Sequence, residues 1–308
     1  MKPSTSRLAL LSLIGSMCIF GTIGIFRQYI PLPSGLLACA RGVIGVLFLL
    51  LLQLIRRQKP SLSAIRLNLL PLLLSGAFIG INWILLFESY RFVSVSKATV
   101  CYYLAPIFVV LASPFVLKER LTVRKALCAA CALCGMVLSS GLIGSNETDA
   151  HLIPGLLCGI GAAAFYATVI LLNKKIKDIS AYDKTTVQLG SAALVVLPYV
   201  LLAEDISLSG TKPLAWILLT VVGILHTGLA YVMYFGSMKH LKAGTVAIFS
   251  YIDPIIALVL SVIILKDHMG IWETVGAVMV ILAAFLCEQG ETSHKKTKQT
   301  KSKERKSA

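Results

Sequence analysis

A few polar side chains stand alone inside long apolar runs, and these are where chemistry would have to occur. Asp253 lies about ten residues into one such run and directly precedes Pro254. Proline removes a backbone donor and clashes with the carbonyl four residues back, freeing polar backbone at that depth. A carboxylate beside freed carbonyls suits a proton, an ion or a polar substrate, and a structural role at a kink is the alternative. Arg41 lies roughly 12 Å from the end of its own run at the helical rise per residue. Its planar fork suits a substrate carboxylate, or equally a structural bridge to Asp253 or Glu88. His226, mid-run, titrates near neutral pH and suits proton coupling, or a hydrogen-bonded structural role. Asn82, Trp83, Tyr102, Tyr103, Tyr231 and Tyr251 would give such groups a pocket of apolar walls and few polar handles. The competing role for aromatics is a belt at the membrane interface.

One phrase occurs twice. Tyr103-Leu104-Ala105-Pro106 leads, through a mostly aliphatic stretch, to Leu117-Lys118-Glu119-Arg120-Leu121. Tyr251-Ile252-Asp253-Pro254 leads likewise to Leu265-Lys266-Asp267-His268-Met269. Pro106 and Pro254 are expected to break their helices. Glu119 and Asp267 end them, each either pairing with a neighbouring basic residue to hold a gate at its own face or sitting as solvated loop charge. The same offset, about half the chain, sets Trp83 against Tyr231 and Phe87 against Phe235. It also pairs His226 with Phe78 and Asp253 with Ala105, so those two polar groups break the repeat.

The elements that carry these residues follow from composition. The 308 residues are 57% hydrophobic and 14% charged, with mean hydropathy +0.83. Soluble domains carry about 25% charge, so the surrounding solvent must be lipid. Ten apolar stretches approach spanning length: Leu8–Tyr29, Pro33–Ile55, Leu67–Phe87, Ala98–Leu117, Ala126–Ile143, Leu152–Leu172, Thr185–Ala203, Leu214–Phe235, Ala243–Leu265 and Ile271–Cys287. Their length and the lack of ten-residue alternation exclude a barrel. Small residues crowd Gly15–Gly24 and Gly155–Ala164, marking the first helix of each half as a plausible moving part.

Of the 29 Lys and Arg residues, most fall in segments that share a side with the N-terminus, among them Arg56, Arg57, Lys118, Arg120, Lys174, Lys175 and the tail. That asymmetry predicts cytoplasmic termini and a multi-pass protein of the cell membrane. It also turns the +15 charge into a topology signal rather than a nucleic-acid surface. Cys128, Cys131 and Cys134 have metal-like spacing but no clustered His, and read as packing residues.

The expected organisation is all-α: ten transmembrane helices as two five-helix repeats, 8–143 and 152–288. A short cytoplasmic segment (1–7), an extracytoplasmic linker (144–151) and a basic cytoplasmic tail (289–308) complete it. Five is odd, so the second copy enters the membrane from the opposite side and the repeats are inverted. Ten helices in two such repeats, with Pro106…Glu119 echoed by Pro254…Asp267, resemble the drug/metabolite transporter superfamily of EamA type. Cys101-Tyr102-Tyr103-Leu104-Ala105-Pro106 and Ser250-Tyr251-Ile252-Asp253-Pro254 are similar to its bacterial members. The resemblance covers roughly residues 8–288. It implies a secondary transporter, acting by alternating access on an amino acid, another small metabolite or a drug, in the direction of export. The expected partners are the lipid bilayer, a small-molecule substrate and a coupling proton or ion. Neither a Walker phosphate loop nor an H-E-x-x-H set occurs, which argues against ATP hydrolysis and metalloenzyme chemistry and leaves no cofactor to expect. A channel is the alternative, and sparse intramembrane charge speaks against it.

Overall fold

The computed structural model describes residues 3–116, 122–139, 151–173, 175–206, 211–238, 240–241, 249, 252–267, 269–283 and 285–286; among them there is no strand. Glu119, Tyr251, the linker up to residue 150 and the basic tail lie outside the described residues. Lipid offers backbone groups no partners, so a chain this apolar meets its hydrogen bonds within helices. Seven helices are long and apolar enough to cross a membrane: Arg7–Gln28, Ser34–Ile55, Leu69–Phe92, Val95–Ala112, Leu152–Asn173, Ala181–Ala203 and Pro213–Ser237. Three shorter apolar helices follow the same pattern at Ala126–Ser139, Ile252–Ile264 and Ile271–Ala283.

Several expected spans prove to be interrupted. The first divides at Thr22 into α1 (Pro3–Gly21) and α2 (Ile23–Gln28). Next come α3 (Ser34–Ile55), the short α4 (Leu62–Leu67) and α5 (Leu69–Phe92). The fourth span begins at Val95 and splits into α6 (Val95–Tyr102) and α7 (Ala105–Val116). Pro106 therefore occupies the first turn of α7, where a missing amide costs least. After α8 (Val123–Ser139), α9 (Leu152–Asn173) and α10 (Ala181–Ala203) comes α11 (Pro213–Val221). It passes without a turn into a π-helical segment, Val222–Leu229, and then α12 (Ala230–Met238). The remaining helices are α13 (Ile252–Ile264) and α14 (Ile271–Ala283).

The helices exchange partners in pairs. α5 packs on α9 as α12 packs on α1; α7 packs on α9 as α13 packs on α1; α10 packs on α5 as α3 packs on the π-helical segment. Each relation is the other with the two halves interchanged. The largest buried cluster lies where α3, α5 and α10 meet, around Leu49, Phe87, Leu189 and Val196.

Polar clasps tie α3 to α10 at both ends. At one end the Glu204 carboxylate accepts from the amides of Gly35 (2.7 Å) and Leu36 (2.8 Å), capping the first turn of α3. At the other, the Gln53 amide donates to Asp183 (3.1 Å), which also accepts from the Ser61 amide (3.3 Å). Replacing Glu204 with Ala leaves the helix start uncapped. Thermal unfolding in detergent should show a loss of about 1 kcal/mol, with Gln recovering part of it.

Candidate functional site

The interruptions converge. Tyr102 and Tyr103 close α6 at its break, and Asp253 begins α13 one residue before Pro254. The helix starts at Ile252, so Asp253 and Pro254 lie in its first turn rather than at a mid-helix kink. The end of α1 approaches Asp253 so closely that a Cβ on Gly21 would meet the Asp253 carbonyl at 2.7 Å. No side chain larger than hydrogen fits that crossing.

Tyr102, Tyr103, Tyr166, Tyr231 and Asp253 come from four different helical segments, yet each keeps some accessible surface while deeply surrounded by protein. Ring contacts and shared electrostatic neighbours draw them into one cluster. Tyr103 is an electrostatic neighbour of the Asp253 carboxylate. Tyr102 stacks on Tyr166 (5.4 Å between ring centres) and meets Tyr103 edge-on (5.9 Å). Trp83 and Tyr231, paired by the repeat, meet at 6.5 Å, and Phe20 closes on Tyr231 at 5.3 Å. Asn82 is buried and donates to the Ala162 carbonyl at 2.6 Å.

Arg41 is 4% exposed. Its guanidinium lies 4.3 Å above the Trp83 ring and 5.5 Å from Phe87. Its Nε donates to the Thr227 hydroxyl at 2.8 Å. Neither expected bridge forms: Glu88 pairs with Arg91 at 3.0 Å, and Arg41 has no carboxylate partner among the described residues. The linear sequence gives the depth of Arg41, but helix rotation turns it toward the aromatic wall instead. The terminal nitrogens have no partner there either, and Arg41 is absent from the sealed, unsatisfied polar groups, so they keep contact with open space. Arg41 and Asp253 share Tyr231 and Tyr90 as electrostatic neighbours without pairing.

His226 is placed elsewhere. Its Nε2 shares a hydrogen bond with the Thr22 hydroxyl at 2.8 Å, and its ring packs edge-on against Phe26 at 4.8 Å. It is 2% exposed and fastens the α1–α2 break rather than facing Asp253. Asp267, expected beside a neighbouring Lys or Arg, instead accepts from the Ser96 amide (3.3 Å) and hydroxyl (3.2 Å) at the start of α6. Beside it Lys97 pairs with Glu273 at 2.9 Å. Cys128 is buried while Cys131 and Cys134 face outward, and no cluster of metal-binding side chains occurs among the described residues.

Tyr90, Tyr166, Thr22 and Thr227 were not singled out from sequence. Tyr166 lies in an apolar run with nothing in the repeat to mark it. Hydroxyls in apolar helices commonly bond to their own backbone, so Thr22 and Thr227 carried none.

Membrane-length apolar helices around a cluster of buried polar and aromatic side chains define a polytopic membrane protein. Residues 7–141 and 153–288 each match the EamA-like transporter family. The chain belongs to that family and is a membrane transporter. It is 32% identical over 272 residues to the transporter YxxF of Bacillus subtilis, covering 88% of this chain and 86% of that one. It is 26% identical over 267 residues to the chloramphenicol-sensitive protein RarD of Pseudomonas aeruginosa, covering 84% and 85%. A crystal structure of a protein with 18% identity shares the fold, with a TM-score of 0.63 over 90% of this chain and 95% of the other.

The fastening role given to His226 has a direct check. His226→Leu deletes the bond to Thr22 and should lower stability in detergent by about 1 kcal/mol, whereas His226→Gln should recover part of the loss. Equal melting of both variants and the parent would contradict it.

Proposed function

We propose that the protein is a secondary active exporter of a small organic metabolite, an amino acid or a related compound, working by alternating access. Ten helices form two inverted five-helix repeats, with both termini cytoplasmic. In this reading α1–α2, α3, α5, α6–α7 and α8 correspond to α9, α10, α11–α12, α13 and α14. The pairwise exchange of packing partners supports the correspondence. The odd number of spans and the distribution of Lys and Arg support inversion and orientation.

The observation that carries the proposal is a buried guanidinium without a carboxylate partner, near a carboxylate with which it shares aromatic neighbours. Burying a charge without a counter-ion is costly, and intramembrane charges usually serve transport. Arg41 receives the substrate's carboxylate in a bidentate fork. Trp83, Tyr102, Tyr166 and Tyr231 provide the walls, and Asn82 a polar handle. Asp253, beside Tyr103, takes the coupling proton or the substrate's cationic group. His226, Pro106 and Pro254 shape the helices around this cluster, and Asp267 fastens the outer ends of α6 and α13.

Purified protein in proteoliposomes, screened against a panel of amino acids and small carboxylates, should show saturable uptake and counterflow. A non-saturating ion current would overturn the carrier reading. In the same assay Asp253→Asn should abolish flux or remove its dependence on a proton gradient; normal flux across the pH range would rule out coupling at this residue. Trp83→Ala should raise the half-saturation concentration about tenfold, in keeping with loss of a desolvated aromatic contact. An unchanged value would remove Trp83 from the binding wall.

A further inference from the structure

The π-helical segment Val222–Leu229 is the least expected element of the fold. A π-turn widens a helix by one residue and is uncommon. Here the glycines near its two ends lie against α3: a Cβ on Gly223 would collide with Ile44, and one on Gly228 with Phe48. The segment is thus pressed directly onto the helix that carries Arg41.

Thr227 sits within this turn and is fully buried. Its hydroxyl donates to the carbonyl of Val222, five residues back, at 3.2 Å. That donation follows the widened repeat, and it leaves the oxygen lone pairs for the Arg41 Nε at 2.8 Å. A single hydroxyl therefore engages the one guanidinium nitrogen that a bidentate ligand does not need. The two terminal nitrogens stay without partners among the described residues. Trp83 packs against the guanidinium, 4.3 Å from ring centre to its central carbon. The group is held at Nε by the hydroxyl and against Trp83 and Phe87, and its terminal nitrogens have no hydrogen-bond partner among the described residues.

We infer that Thr227 is a positioning residue that holds the Arg41 guanidinium against Trp83 with its terminal nitrogens presented to an anionic ligand. The ligand part of this inference rests on the proposed role of Arg41, but the positioning part does not. Val at this position matches the shape of Thr without the hydroxyl, and Ser keeps the hydroxyl.

Trp83 reports on the stacked cation directly. The chain has three tryptophans, and the other two, Trp216 and Trp272, are 40% and 62% exposed at the periphery. Replacing both with Phe leaves Trp83 as the sole indole. In that background, the ligand-free emission of Trp83 should shift in Thr227→Val and return to the parent value in Thr227→Ser. Thr227→Ala provides a second hydroxyl-free variant should Val disturb the turn, and melting temperature identifies any variant that fails to fold. Titration with benzoate, followed by the same emission, should give about tenfold weaker affinity for the Val or Ala variant, the size expected for one charge-assisted hydrogen bond. Ser should stay close to the parent. Folded hydroxyl-free variants whose ligand-free emission matches the parent would overturn the inference. A parent that ignores benzoate, or an Arg41→Lys variant that binds it equally well, would instead overturn the proposed role of Arg41, while the ligand-free emission still decides the positioning.

Discussion

In hydrocarbon a backbone amide or carbonyl finds no water, so every departure from regular helix must be satisfied from within the protein. This constraint decides where the chain can break. The interruption at Thr22 is closed by its amide to Ile19 and by the Ile25 amide to the Thr22 carbonyl. The break after α6 is closed by the amides of Tyr103 to Thr99 and Leu104 to Cys101. In the π-segment the Thr227 hydroxyl takes up the Val222 carbonyl. All three breaks turn toward the interior, where the polar side chains of neighbouring helices are.

Arg41 shows the energetic side of the arrangement. A cation taken from water into a sealed interior loses several kcal/mol of solvation unless other groups replace it. Two aromatic faces and one hydroxyl replace part of that loss here. In the proposed role, an anion arriving at Arg41 meets a group that these neighbours have already oriented. Affinity then comes from organisation completed during folding rather than from rearrangement on binding.

How much of this could be seen in the sequence depended on the kind of signal. Arg41 and Asp253 stood out because an ionisable group in an apolar run has few bland explanations. Trp83 and Tyr231 stood out because the repeat conserves an aromatic at both positions. The expected pairing of Arg41 with Asp253 or Glu88 failed because sequence gives a residue's depth in the bilayer but not its direction around the helix axis. The roles of Thr227 and His226 were hidden for a related reason. Each depends on a one-residue widening of the helix, and hydropathy is blind to whether a turn holds four residues or five. Tyr166 was passed over because one more tyrosine in an apolar run does not distinguish a cavity wall from lipid-facing packing.

The clasps at the two ends of α3 and α10 bear on motion. Glu204 holds one end through two backbone amides, and Asp183 holds the other through Gln53 and Ser61. Two rods pinned at both ends cannot slide along or splay from each other without breaking these bonds. Because one rod comes from each half of the chain, they form a shared axle. Relative movement of the halves that separates these ends must first break those bonds.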